Sequence, residues 1–327
     1  MTDRKVSFNE IMNSSNRLKD KVVKTPLLQS SYLNQKFKTN LFLKAENLQT
    51  IGAFKYRGAL NAVLQLPDNV KKVVAWSSGN HAQAVAAAAK ITGREATIVM
   101  PIDSPKAKLE GTAFWSASII KYDRKKEDRE QIGREIANKT NAAIIPPFDH
   151  IDVINGQGTT GLECIEQLEI KNVKPDIVLC CCGGGGLIAG ISTAIKEKFE
   201  NSKIYSVEPD NFDDTKKSLE ANKIVMNSMR DKSICDALLA EKPGNITFEI
   251  NQKNLTAGLS VSDKESLMAM HAAFKYFKII LEPGGAVALA AAITSKIDIR
   301  EKNVLVIASG GNVDKDVFEQ CFKIDTI

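Results

Sequence analysis

Three glycine turns, each placed directly after a short apolar run, constrain this chain more than any other feature. SSGN (77–80) follows VVAW, GGGG (183–186) follows DIVLCCC, and SGGN (309–312) follows NVLVIA. An apolar run of strand length that ends in glycine and continues with helical spacing reads as a parallel strand feeding a crossover helix. The rhythm recurs along the sequence. VVAWS (73–77) precedes NHAQAVAAAAKI, ATIVMP precedes SPKAKLEGTAF, and SIIKYD and AAIIP flank a charged stretch. A second series follows, with QGTTGLECIEQL helical, DIVLCCC a buried strand, LIAGISTAIKEKF a helix, KIYSVEP a strand, EPGGAVALAAAIT a helix and NVLVIAS the last strand. This pattern predicts an α/β protein with parallel-rich sheets flanked by helices.

At 327 residues the chain exceeds what one core of roughly 100–200 residues holds, so two lobes are expected. The Pro146–Pro147 pair is the strongest punctuation between the two series. The early segment TPLLQSSYL and the strand NLFLKAE (40–46) need a sheet to join, and they are placed with the second series. The expected division is therefore a discontinuous large lobe of residues 1–70 and 150–327, with residues 71–149 forming a smaller lobe that closes over the cleft.

Charge excludes some partners. The net charge of +5 is spread along the chain, and the densest run, KYDRKKEDRE (121–130), mixes both signs. It reads as a solvated helix face rather than a nucleic-acid patch, because tracking phosphates needs clustered charge of one sign. No apolar run reaches the ~18 residues of a membrane span, and no apolar leader follows the N-terminus, so a cytoplasmic location is expected. Cys180, Cys181 and Cys182 are adjacent within an apolar run and lack zinc spacing, which marks them as buried free thiols. His81, His150 and His271 share no metal-binding spacing.

Ligands of such sheets sit beyond the carboxyl ends of strands, at helix N-termini and glycine turns. Gly183, Gly184, Gly185 and Gly186 leave backbone N–H groups unshielded at the start of a helix, where a phosphate gains hydrogen bonds and the favourable end of the helix dipole. Two cofactors compete for that cup. Gly184, Gly186 and Ala189 satisfy a G-x-G-x-x-A dinucleotide fingerprint with Glu208 ending the next strand, which would make an NAD-dependent oxidoreductase. That reading leaves IGAFKYRGA (51–59), SSGN and SGGN without work. Pyridoxal 5'-phosphate employs all of them, with Lys55 as the amine, the glycines as the cup, Phe54 as a ring face and Ser309 as a neutral hydroxyl for the ring nitrogen.

The ordered segments TPLLQS (25–30), KAENLQTIGAFKYRGA (44–59), SSGNHAQAVA (77–86), GQGT (156–159), CGGGGLIAG (182–190), EPGGAVALAA (282–291) and SGGN (309–312) resemble the fold type II pyridoxal-phosphate enzymes of the threonine/serine dehydratase and serine racemase family. The resemblance spans nearly the whole chain and implies a two-lobe, tryptophan synthase β-like fold. Within it, Lys55 looks like the Schiff-base lysine, Phe54 like the residue packed on the ring, and Asn80 like the partner of the pyridine 3′-oxygen. Gly183 to Gly186 with Leu187 look like the phosphate cup and Ser309 like the ring-nitrogen partner. The turn Ser77, Ser78, Gly79, Asn80 and His81 looks like the receiver of the substrate α-carboxylate.

The implied reaction is dehydration and deamination of L-threonine or L-serine to a 2-oxo acid and ammonia, with hydroxyaspartate ammonia-lyase or serine racemase as alternatives. Lys55 would move the Cα proton, and Ser78 would be the racemase branch's second acid/base on the opposite face. EPDNFDD (208–214) resembles the racemase segment that holds Mg²⁺ or Ca²⁺, here through Glu208, Asp214 and the Phe212 carbonyl. A homodimer is implied by family habit. Two positions depart from the pattern: Ala53 stands where serine is common, and Ala237 where a glycine approaches the ring. The chain stops soon after SGGNVD, so feedback by isoleucine is not expected.

Overall fold

The computed structural model describes residues 4–228 and 231–324. Among these residues ten strands form two sheets: β1 (Leu27–Leu28), β2 (Asn40–Ala45), β3 (Lys72–Trp76), β4 (Glu95–Pro101), β5 (Ser118–Tyr122), β6 (Ala143–Ile144), β7 (Ile177–Cys181), β8 (Lys203–Pro209), β9 (Ala257–Val261) and β10 (Asn303–Ala308). The larger sheet runs β1-β2-β10-β7-β8-β9 and the smaller runs β5-β4-β3-β6. Of these strands only β1 pairs antiparallel. The early segment 27–45 thus joins a sheet whose other strands begin more than a hundred residues later, while the smaller sheet uses only residues 72–144.

The apolar runs of β2, β3, β4, β7, β8 and β10 become mostly buried strands because helices cover the sheets, while β5, at an edge, stays largely exposed. β7 is buried along its length, and the helix Pro283–Ile293 beside it is buried on every side, with Pro283 fixing its first turn. Its lack of a polar face follows from that burial. β9 lacks such an apolar run and its residues are mostly half-buried, so the sequence did not announce it; pairing with β8 makes it a strand.

The run 121–130 is not a helix face. Lys121 and Tyr122 finish β5, residues 123–128 turn, and the helix begins at Arg129. Local carboxylates stop it from starting earlier: Asp123 accepts from Lys125 N at 2.9 Å, and Asp128 caps the helix through Glu130 N at 2.7 Å.

GQGT (156–159) does packing work. It lies within helix Ile151–Ile170, where side chains at Gly156 and Gly158 would run into Asn61 and Ile11, and where the Gln157 side chain accepts from Gly58 N at 3.2 Å. Gly156 lets helix Ile151–Ile170 approach helix Lys55–Leu64 closely, and Gly158 makes room for Ile11 and the Gly190 carbonyl. Across that contact lies the buried Arg57. Its guanidinium pairs with both oxygens of Glu46 at 2.8 Å and with Glu163 at 2.7 and 2.9 Å, and Lys44 adds a 2.6 Å contact to Glu163. Burial pushes the Glu46 carboxyl up, but Arg57, Lys44 and Thr25 outweigh it and leave it below the usual range.

Replacing one member of such a network strands the others in a low dielectric. Arg57→Met is expected to cost about 3–5 kcal/mol, read as a lower urea midpoint, because Glu46 and Glu163 lose their counter-charge. A midpoint within experimental error of the parent would show that water or rearranged Lys44 compensates.

Candidate active site

β7 and β10 are parallel neighbours, and their carboxyl ends open into one cleft. Its lining includes Phe54, Lys55, Ser77, Ser78, Gly79, Asn80, His81, Gly183, Gly184, Gly185, Gly186, Leu187 and Ser309, so residues expected to bind cofactor and substrate meet in one place. Lys55 opens helix Lys55–Leu64, and that helix is tied to the end of β10 by Phe54 N donating to Ser309 O at 3.0 Å. The Lys55 ammonium donates to Pro147 O at 2.6 Å and lies 5.2 Å from the centre of the Phe54 ring. The Pro-Pro punctuation therefore carries the acceptor that holds the amine. Burial pushes the Lys55 pKa down from 10.5 to about 8, with Cys181 opposing the shift.

The glycine turn fits a phosphate. Gly185 has φ +93°, and a side chain there would also meet Thr247 and Asn251. A Cβ at Gly184 would enter the ring of Phe148. Helix Gly186–Lys198 starts with no side-chain cap, leaving its first N–H groups to face the cleft. With a desolvated amine, a ring face and a hydroxyl beside this cradle, the donor set matches pyridoxal phosphate.

The second turn is held from both ends. Gly79 N donates to Ser77 Oγ at 3.2 Å, and helix Asn80–Ile91 begins without a side-chain cap. Asn80 is buried; its Nδ2 donates to Glu282 Oε1 at 2.5 Å and its Oδ1 accepts from Asn312 Nδ2 at 2.8 Å. His81 Nε2 lies 2.8 Å from Ile145 O, and burial, followed by the charge of Lys55, pushes its pKa down to about 3. The imidazole thus stays neutral and adds no positive charge to the turn.

The profile of the family described as pyridoxal-phosphate dependent enzyme matches residues 18–310. The chain belongs to that family. L-threo-3-hydroxyaspartate ammonia-lyase of Saccharomyces cerevisiae is 42% identical over 310 residues, 94% of each chain. Serine racemase of Schizosaccharomyces pombe is 40% identical over 311 residues, again 94% of each. The solved structure of a threonine deaminase from T.th. superposes with a TM-score of 0.89 at 37% identity, covering 94% of this chain and 99% of that one. The fold is therefore that of the fold type II pyridoxal-phosphate enzymes, among which ammonia-lyases and racemases are relatives of this chain.

Membership removes the dinucleotide reading. Glu208, which that reading assigned to a ribose, instead accepts from Thr215 N at 2.9 Å and Lys216 N at 2.8 Å at the start of helix Asp214–Ala221. Asp214 Oδ1 accepts from Asn227 Nδ2 at 2.7 Å. Among the described residues no group of three or more His, Cys, Asp or Glu is arranged to hold a metal ion.

Several lining residues carried no sequence signal for this site. Trp76 at the end of β3, Arg124 and Phe148 in loops, Arg129 at a helix start, and Asp236 and Leu238 in one short helical turn join the cleft. Ala237 still lines it despite the departure from glycine, and its carbonyl passes 3.6 Å from where a Gly183 side chain would start. Ala53 pairs with Gly310 in an isolated antiparallel bridge and is fully buried, so the methyl group there belongs to packing.

In cofactor-free protein, acylation of Lys55 by an amine reagent is expected to rise with a midpoint near pH 8, since the neutral amine is the nucleophile. A midpoint above about 10, the ordinary lysine range, would show a solvated amine.

Proposed function

We propose that this protein is a pyridoxal-phosphate-dependent ammonia-lyase that removes water and ammonia from a β-hydroxy amino acid, with a hydroxyaspartate ahead of L-threonine and L-serine. The observation that carries the substrate choice is the pair Arg124 and Arg129, both lining the cleft that holds Lys55 and the Ser77–His81 turn. Arg124 is steered by Asp103 at 2.7 Å. A guanidinium is the group suited to a second carboxylate, because its planar fork donates two parallel hydrogen bonds. The 42% identity to an L-threo-3-hydroxyaspartate ammonia-lyase supports the same choice.

The division of labour follows from position. Bound in the cleft, pyridoxal phosphate supplies a ring that withdraws electrons from the substrate's Cα. Gly183–Gly186 and Leu187 hold its phosphate, Phe54 covers a ring face, Asn80 meets its oxygen and Ser309 its nitrogen. Backbone N–H groups of Ser77–His81 receive the α-carboxylate. Lys55, already desolvated, takes the Cα proton near neutral pH. Residues 71–149, built on the smaller sheet, form the lobe that closes over the substrate and excludes water, with residues 1–70 and 150–327 as the larger lobe.

A second reading, serine racemase, is favoured by one observation: the Ser78 side chain belongs to the same cleft as Lys55, which gives a second group for proton transfer. The 40% identity to a serine racemase supports it. Ammonia release and loss of optical purity, measured together on threonine, serine, their D-isomers and the hydroxyaspartate stereoisomers, separate the readings. The expected result is preference for a hydroxyaspartate, with Arg129→Met lowering its kcat/KM about 10- to 100-fold and leaving serine nearly unchanged. Preference for threonine or serine, with equal losses on all substrates, would restore the simpler dehydratase. Racemisation of serine faster than ammonia release, lost in Ser78→Ala, would establish the racemase.

The expected Mg²⁺ or Ca²⁺ belongs at Glu208, Asp214 and the Phe212 carbonyl. What supports it is a buried, unpartnered Asp214 Oδ2 and the strong upward push on both carboxyls, through burial and, for Glu208, the charge of Asp214. Such a cation should raise Tm by a few degrees in the parent and not in Asp214→Asn. Identical melting with and without either ion would discard the site.

The protein is further proposed to be a cytosolic homodimer. Its six cysteines are free, and no described helix is long and apolar enough to cross a membrane. Phe274, Phe318 and Phe322 form an edge-on cluster in which Phe274 and Phe322 remain 44% exposed, an apolar surface suited to a second copy.

A further inference from the structure

Lys108 is a lysine at 1% side-chain exposure, and its partners come from distant parts of the chain. It sits on helix Lys106–Phe114, which lies between β4 and β5 of the smaller sheet. Its ammonium donates to Asp236 at 2.9 and 2.7 Å and stands 2.9 Å from Glu282 Oε2, two residues carried by the part of the chain that builds the larger sheet. A second tie holds the same helix: Asp314 accepts from Lys106 N at 3.2 Å and Ala107 N at 2.9 Å. Lys108 is therefore delivered to Glu282 only when this helix is docked.

Glu282 connects that ion pair to the cofactor side of the cleft. Its other oxygen accepts from Asn80 Nδ2, and Asn80 Oδ1 is taken by Asn312 Nδ2, which also donates to Ile51 O at 2.8 Å. Gly310 makes the contact possible, since a side chain there would occupy the place of Glu282 Oε1. An amide nitrogen has two N–H groups. With one spent on Glu282 and the amide oxygen spent on Asn312, a single N–H of Asn80 is left for a ligand.

That arrangement requires Glu282 to be a pure acceptor. Burial, with the charge of Asp236, holds the Glu282 carboxyl above its usual range, although the charge of Lys108 and the hydrogen bonds from Lys108 and Asn80 pull it down. Cys181 also senses the Glu282 charge. Protonated, Glu282 would offer an O–H, and Asn80 could satisfy it by turning its carbonyl round, which presents the wrong polarity to an oxygen in the cleft.

We infer that Lys108 is a positioning residue: its ion pair keeps Glu282 an acceptor and thereby fixes the Asn80 amide with an N–H toward the cofactor oxygen. The inference rests on pyridoxal phosphate occupying this cleft, and it makes the docked helix part of the site's chemistry rather than a cover.

The test is the visible absorption band and the cofactor dissociation constant of the loaded protein, measured for the parent, Lys108→Met, Glu282→Gln, the double variant and Asp236→Asn. Lys108→Met and Glu282→Gln are each expected to shift the band and to weaken cofactor binding about tenfold, the size of one hydrogen bond. The double variant should match Glu282→Gln alone, because both changes act through one contact. Asp236→Asn should leave the band in place, since losing the Asp236 charge, which favours protonated Glu282, leaves Glu282 an acceptor.

An unshifted band in Lys108→Met, additive effects in the double variant, or an equal shift in Asp236→Asn would overturn the inference, the last by showing that helix docking is all that matters. If Lys108→Met does not fold, Glu282→Gln decides the question, and a parental band in that variant overturns the inference. A parent protein with no visible band and no borohydride adduct on Lys55 fails the cofactor reading itself and takes this inference with it.

Discussion

Arg57 is the fixed point of the molecule. A guanidinium with almost no exposure is tolerable only when its donors are met by carboxylates, and here Glu46 and Glu163 meet them from two different elements. Lys44 balances the second acid, so two cations and two anions sit in one buried cluster. Lys55 precedes Arg57 by two residues on the same helix. Whatever holds the guanidinium therefore holds the direction in which the amine enters the cleft. The cost of burying this network is offset by precision, since it fixes where the Lys55 amine ends in the cleft.

Around that point the site is made by close approach. Side chains are missing where elements touch, at Gly156 and Gly158 between helices, at Gly285 against the Gly310 backbone, and at Gly310 beneath Glu282. Each absence lets a neighbouring element come nearer than a Cβ permits. The result is a cleft in which an amine, two uncapped helix starts and a neutral imidazole share a poorly hydrated space. Desolvation then serves the chemistry, since the same burial that would be a penalty elsewhere brings Lys55 toward its neutral form.

Much of this was readable in the sequence because it rests on local rules. Glycine turns after apolar runs marked strands whose ends open on the cleft, and the lysine between aromatics lines that same cleft. The charged run 121–130 was misread, since mixed charge describes solvation and not backbone conformation; Asp123 and Asp128 spend their carboxylates on nearby N–H groups and postpone the helix. GQGT, one of the segments that carry the resemblance, is a packing surface inside a helix. Glu208 matched a spacing, yet its carboxylate is turned onto the N–H groups of Thr215 and Lys216.

The sequence by itself determined the class of fold and set apart a lysine between aromatics and a glycine turn at a helix start, because strand period, glycine conformations and helix N-termini act over a few residues. Only the tertiary structure decided which charges face the cleft. Arg124 and Arg129 lie in an ordinary polar run, and Lys108 in an ordinary helix, with nothing nearby to set them apart. Their partners come from distant segments, Lys108 meeting residues 236 and 282. Electrostatic roles depend on distance through space and on the water excluded between groups, and a linear sequence holds neither until the chain is folded.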